Sequence, residues 1–191
     1  NVELIRGKGY FIGEKELQVG ERKLRGKNIY INTGARARAP KIEGLEQVPW
    51  MDSAGLLNKE TLPEHLLIIG GGYIGVEFSQ VFRRLGSRVT IVQRGEQLMP
   101  REDEDVAQAI QDFLEEEGVE VLCGTEAKSV KQKDGGIRLT LEHNGHEQVL
   151  TGSDLLIAAG RVPNSDGLKL DAAGIATTER GYIEVDDHCR T

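Results

Sequence analysis

Residues 66–77 read L-L-I-I-G-G-G-Y-I-G-V-E, and this stretch decides the fold. Four apolar residues, Leu66 to Ile69, run into a glycine turn, and a helical pattern begins at once. Gly70, Gly72 and Gly75 form G-x-G-x-x-G, the strand, turn and helix start of a dinucleotide-binding βαβ unit. Gly70 permits the tight turn, Gly72 lets a pyrophosphate approach the backbone, and Gly75 lets helix and strand pack closely. The free N–H groups and the positive dipole end of the helix then face the phosphates. A glycine-rich turn with no ligand would have the same composition. The buried-type strand before it and the amphipathic helix after it favour the nucleotide site.

Downstream, Ile74, Phe78, Val81, Phe82 and Leu85 recur at the 3.6-residue period of a helix packed on a sheet, and Gly86 suits its stop. Arg88–Gln93 reads as a second strand, so residues 66–93 complete a βαβ unit of about 30 residues. A second helix is predicted over roughly 101–117, with the stripe Val106, Ile110, Phe113 and Leu114. Glu102, Asp103, Glu104 and Asp105 crowd its start, where acids suit the macrodipole better than they suggest a metal. Gly118 ends it, and Val119–Leu122 is a short third strand. From Glu126 to Leu150 the pattern turns to alternation, with hairpin turns at Asp134-Gly135-Gly136 and Asn144-Gly145. Leu155–Ala159 is a last buried-type strand, ending in A-A-G-R-V-P-N.

Upstream, residues 2–33 are predicted as short strands, G-Y-F-I-G, E-L-Q-V-G and N-I-Y-I-N-T-G, punctuated by Gly13, Gly20 and Gly26. Pro40, Pro49 and Pro63 mark residues 35–64 as a linker with a short helix near Ser53–Leu57. Residues 165–191 read as irregular pieces with one strand, Tyr182–Val185. The expected class is α/β: a Rossmann-like nucleotide-binding domain with a parallel sheet, helices and an inserted antiparallel β-meander.

The 191 residues carry a net charge of −7 from 24 basic and 31 acidic side chains, interspersed and unlike a nucleic-acid footprint. With 38% of residues hydrophobic, the chain can build one substantial core, or one domain with pieces of another. No apolar run approaches transmembrane length, so no membrane partner is expected. Cys123 and Cys189 are far apart and show no C-x-x-C spacing, which fits a reducing, cytoplasmic setting. Asn1 opens inside a strand-like pattern and Thr191 stops without a closing element, so both ends read as cut.

G-G-G-Y-I-G-V-E, the meander and A-A-G-R-V-P-N together resemble the FAD-dependent pyridine nucleotide–disulfide oxidoreductases, the group of dihydrolipoamide dehydrogenase, glutathione reductase and mercuric reductase. V-Q-R-G-E-Q-L-M-P-R-E-D-E-D looks most like the mercuric-reductase-like branch. The resemblance implies a middle fragment: residues 1–45 as part of a flavin domain, 46–61 as a linker, 62–163 as the NAD(P)-binding domain and 164–191 as a return to the flavin domain. The family's own FAD glycine motif, C-x-x-x-x-C redox pair, flavin-contacting G-D motif and dimerisation domain are not in these residues. The implied parent is a homodimeric reductase passing hydride from NADPH to FAD and on to a disulfide or thiol-bound acceptor. The alternative is a dinucleotide-binding module without disulfide chemistry: an oxidase, a sensor or a structural unit.

The expected site has three parts. Gly70, Gly72 and Gly75 hold the pyrophosphate. At the end of the second strand an NAD-preferring unit places an acid on the ribose 2′-OH. This chain has Gln93 and Arg94 there, with Arg101 beyond, and guanidinium groups attract a 2′-phosphate. NADP is therefore expected, with NAD possible; the plain alternative is a solvated loop arginine. At the nicotinamide end, the resemblance places Tyr73 over the nicotinamide pocket beside the flavin and Glu77 near the carboxamide. It lets the dinucleotide pass close to Gly160 and has Arg161 and Pro163 shape the return to the flavin domain. The bland readings are a packing aromatic for Tyr73 and a first-turn acid for Glu77. No metal is expected: His143 and His146 flank a surface turn without further ligands, and His65 and His188 show no partner in the sequence. Cys123 reads as a buried small hydrophobe, Cys189 as an exposed thiol, and Trp50 as a packing residue.

Overall fold

The computed structural model describes residues 2–191. These form two compact units, one built from the chain up to Arg36 together with Arg161–Thr191, the other from Ala37–Gly160.

The first unit opens with an antiparallel sheet of β1 (Gly9–Gly13), β2 (Glu16–Val19) and β3 (Arg22–Arg25), in that order. R-K-L-R at 22–25 is the third strand because Gly20, at φ +58°, turns the chain back onto β2. The strand expected at N-I-Y-I-N-T-G does not form, and Tyr30 is 89% exposed. Alternation alone makes no strand; a partner edge is needed, and residues 28–34 pair with no strand among the described residues. β4 (Ala35–Ala37) closes this stretch.

In the second unit, the stretch read as a linker packs onto a sheet. Ile42, Leu45, Val48 and Leu56 are buried. The short helix α1 (Ser53–Leu57) forms where expected, and the Asp52 carboxylate caps it by accepting the Gly55 N–H at 2.8 Å. The βαβ core follows: β5 (His65–Ile69), α2 (Tyr73–Arg84), β6 (Arg88–Val92), α3 (Glu104–Glu116) and β7 (Glu120–Leu122). The meander comprises β8 (Thr125–Lys133), β9 (Gly136–His143) and β10 (His146–Gly152), and β11 (Asp154–Ile157) returns to the parallel sheet. The parallel order is β11-β5-β6-β7, with Leu67 between Leu155 and Thr90. In both meander turns the two central residues have positive φ, Asp134 and Gly135 at +53° and +80°, Asn144 and Gly145 at +51° and +76°. These are the turns whose twist suits a two-residue hairpin.

Every residue of β5 is buried because both sheet faces are covered. Leu67, Ile69, Val92, Leu155 and Ile157 pack with Val130, Leu139 and Leu141 of the meander and with the partly buried Trp50. Leu66, Ile68, Val89, Ile91 and Leu156 pack on the other face with Phe82, Leu98 and Leu114. The helix stripes are narrower than their apolar content. Val81, Leu85, Val106 and Phe113 are exposed, while Gly75, Ser79, Phe82, Ala107 and Leu114 are buried. Small residues mark the contact line where a helix lies close on a sheet. α3 starts at Glu104, later than expected, after Met99 adopts φ +46° ahead of Pro100.

β12 (Arg161–Pro163) belongs to the first unit and pairs with β4. In that unit Phe11 donates its N–H to Leu168 O at 2.8 Å, and the Lys169 ammonium lies 3.9 Å above the Tyr10 ring. The strand expected at Tyr182–Val185 reduces to a single bridge, Thr177 to Ile183. Thr178 N–H on Tyr182 O at 2.8 Å and Glu184 N–H on Ala176 O at 3.0 Å flank that bridge, around a tight turn with Gly181 at φ +82°.

Candidate functional site

The candidate site lies where β5 and β6 end, since parallel strands with helices between them leave a crevice at their carboxyl ends. Gly70 leaves β5 at φ +111°, with its N–H on Val92 O at 2.9 Å. A Cβ on Gly70 would stand 2.5 Å from Ala158 O, and one on Gly75 would stand 2.0 Å from Gly70 O. Both positions are closed to any side chain. Gly72 is different. It caps α2 with an ordinary extended backbone, no side chain caps the helix, and a Cβ there would meet nothing within 4 Å. The first intrahelical bond runs from Val76 N–H to Gly72 O, so the N–H groups of Tyr73, Ile74 and Gly75 have no acceptor within the helix. The result is an open cradle of backbone donors at the positive end of a helix dipole, which fits a phosphate group.

Gly71 is a site residue that sequence reasoning missed. A Cβ on it would lie 2.5 Å from Leu98 Cδ2 and 3.2 Å from Gln93 Cβ. Its N–H donates to Gln93 Oε1 at 3.0 Å, and its carbonyl accepts from Met99 N–H at 2.7 Å. The signal was the middle glycine of G-G-G, which the fingerprint leaves as x.

Gln93 stands beside the glycine turn with its side chain turned inward. Oε1 is on Gly71, and Nε2 donates to Gln97 O at 3.2 Å. Arg94 and Arg101 lie on the loop that follows, both exposed, and neither enters an ion pair among the described residues. Glu96, the nearest acid, faces Gly124: its Oε2 is 3.3 Å from where a Cβ on that glycine would be.

Tyr73 and Glu77 are four residues apart on α2 and share a face. The Tyr73 hydroxyl donates to the Glu102 carboxylate. That bond first, and partial burial second, hold the phenol above its ordinary pKa. Glu77 is exposed. Gly160, at φ +115°, continues from β11; Ala158 N–H is on Ile69 O at 2.8 Å, which keeps this segment beside the end of β5. Arg38 holds it there, donating its N–H to Gly160 O at 3.0 Å and its guanidinium to Ala159 O at 2.8 Å. Nothing in the sequence around Arg38 signals that role.

The other candidates stand apart from this crevice or serve packing. The half-buried Cys123 thiol lies 3.7 Å from Gln111 Oε1, and burial, then Glu115 and Glu96, raise its pKa. Cys189 is exposed. His143 Nδ1 is 3.1 Å from Thr125 Oγ1, and among the described residues no three His, Cys, Asp or Glu side chains gather as metal ligands. His65 does have a partner: its Nε2 lies 2.8 Å from Thr90 Oγ1 on the next strand. No helix among the described residues is long and apolar enough to cross a membrane.

Comparison with known proteins agrees with this geometry. The family model described as pyridine nucleotide-disulphide oxidoreductase matches residues 1–191. Mercuric reductase of Bacillus cereus is 39% identical over 190 residues, which cover 99% of this chain and 30% of that protein. Dihydrolipoyl dehydrogenase of Geobacillus stearothermophilus is 34% identical over 195 residues, 100% of this chain and 41% of that protein. The solved structure of the HOCl-induced flavoprotein disulfide reductase RclA from Escherichia coli superposes with a TM-score of 0.88 at 38% identity, over 96% of this chain and 42% of that one. The chain thus spans between 30% and 41% of the length of these two curated relatives. With the motifs, the sheet order and the match over its whole length in agreement, the chain belongs to the pyridine nucleotide-disulphide oxidoreductase family.

Proposed function

We propose that the Ala37–Gly160 unit is the nicotinamide-nucleotide domain of a flavoprotein reductase and that it prefers NADPH. The carrying observation is Gly72: an uncapped helix start, open above its Cα, flanked by two glycines that no side chain can replace. That is the shape of a backbone cradle for a pyrophosphate. Bound there, a reduced nicotinamide supplies the hydride that passes to FAD and then to a disulfide or thiol-bound acceptor.

The chain's own residues bind and orient. The free N–H groups at the start of α2 hold the pyrophosphate. Arg94 and Arg101, exposed and in no ion pair among the described residues, hold a 2′-phosphate. Tyr73 covers the nicotinamide end, Glu77 orients the carboxamide, and Gly160 keeps the backbone low where the dinucleotide passes. The unit formed by the chain up to Arg36 and Arg161–Thr191 is assigned to the flavin domain. The parent is proposed to be a cytoplasmic homodimer.

Titration calorimetry of the chain with NADPH and NADH at low salt tests this reading. A charge-assisted bond to a phosphate contributes about 1.5–3 kcal/mol, so NADPH is expected to bind roughly ten- to a hundredfold more tightly, and Arg94→Ala to lose most of that margin. Equal affinities refute the NADPH preference, and no binding of either nucleotide refutes the site.

A further inference from the structure

We propose that Glu102 is a positioning residue for the nucleotide site, holding Tyr73 and the arginine-bearing loop against the glycine turn. The inference rests on the reading of that turn as a dinucleotide site.

Glu102 is tied down on three sides. Its N–H donates to Met99 O at 2.9 Å, its carbonyl accepts from Gln97 Nε2 at 3.1 Å, and its carboxylate accepts from the Tyr73 hydroxyl. Each of those partners leads back to the glycine turn. Met99 N–H is on Gly71 O, Gln97 O accepts from Gln93, and Gln93 in turn accepts from Gly71 N–H. Tyr73 directly follows Gly72, and its own N–H is one of the free donors at the helix start. The loop from Arg94 to Arg101 is therefore closed into a ring, with Glu102 as the link between its far end and α2. The neighbouring Arg101 makes no ion pair with Glu102, so the carboxylate faces Tyr73 rather than its adjacent cation.

A loop already ordered in the free protein does not have to be ordered by its ligand, and that difference appears as affinity. Cutting the Tyr73–Glu102 tie should release the two arginines and the aromatic ring together. The effect should be shared, because either partner removes the same bond.

The test is NADPH affinity of the 191-residue chain by titration calorimetry for the wild type, Glu102→Ala, Tyr73→Phe, the double variant and Glu102→Gln. Glu102→Ala and Tyr73→Phe are each expected to weaken NADPH binding about three- to tenfold. The double variant should be no weaker than the weaker single. Glu102→Gln keeps an oxygen that accepts the phenol and should bind as the wild type does. Wild-type affinity in both single variants, fully additive losses, or no rescue by glutamine would each overturn the assignment. Tyr73→Phe decides the matter if Glu102→Ala fails to fold. A wild type that binds no NADPH removes the nucleotide reading and this inference together; a wild type that binds while the variants match it removes the inference alone.

Discussion

The side-chain carbonyl of Gln93 accepts the N–H of Gly71 at 3.0 Å, so the end of the second parallel strand is bolted to the middle of the glycine turn. The same amide donates to Gln97 O at 3.2 Å. Gln93 thus joins the two structural parts of the proposed site, and its amide form matters on both sides.

Gln93→Glu is expected to keep the Gly71 bond and lose the one to Gln97, because a carboxylate has no hydrogen to donate. Two oxygens would then face each other. The carboxylate would also place a negative charge beside the loop that carries Arg94. NADPH affinity should fall at least roughly tenfold, NADH affinity should change little, and stability should drop by about 1 kcal/mol. Calorimetry with both nucleotides and urea unfolding check this; an unchanged NADPH-to-NADH ratio would refute the proposed role of this strand end.

Gly72 and Gly75 separate binding from stability. Gly75→Ala pushes a methyl group to 2.0 Å from Gly70 O, a backbone atom that cannot step aside. The expected loss is about 3 kcal/mol, at the upper end of overpacking costs. Gly72→Ala places its methyl group in open space on an ordinary backbone and should leave stability within about 0.5 kcal/mol of the wild type. It should nevertheless weaken nucleotide binding, because the methyl group occupies the space proposed for the pyrophosphate. Urea midpoints and calorimetry on the two variants read these effects separately. Wild-type nucleotide affinity in Gly72→Ala would show that the cradle is not used.

His65 should make stability depend on pH. It is buried at the start of β5, and Thr90 links it to Glu120, the Thr90 hydroxyl donating to Glu120 Oε2 at 2.8 Å. Burial first, then Arg88, lowers its pKa, while the Thr151 backbone, Glu120 and Glu64 pull the other way. The imidazole is therefore harder to protonate in the folded chain than in the unfolded one. The stability of the neutral form is fully present above the unfolded value of about 6.5 and is lost as pH falls below it, by at most about 1.4 kcal/mol per pH unit. Between pH 7.5 and pH 5.5 the wild type should lose more stability than His65→Gln in urea unfolding. Equal losses would mean that carboxylates alone set the acid limb.

The local chemistry of the chain determined its punctuation and its class. An apolar run flanked by turn residues can only be buried on both faces, and Leu66–Ile69 is. Two successive residues able to take positive φ make a tight hairpin, and Asp134-Gly135 and Asn144-Gly145 do so. Gly70 and Gly75 were legible because backbone approaches backbone there whatever the surroundings. Pairing was decided by the tertiary structure, because a partner's identity depends on residues far away in sequence. Residues 28–34 alternate as well as β1 does and still form no strand. Tyr73 finds Glu102 across 29 positions, His65 finds Thr90 across 25, and Arg38 reaches Ala159 across 121. Periodicity and turn propensity are properties of a few consecutive residues; which donor meets which acceptor follows from the packing of the whole sheet.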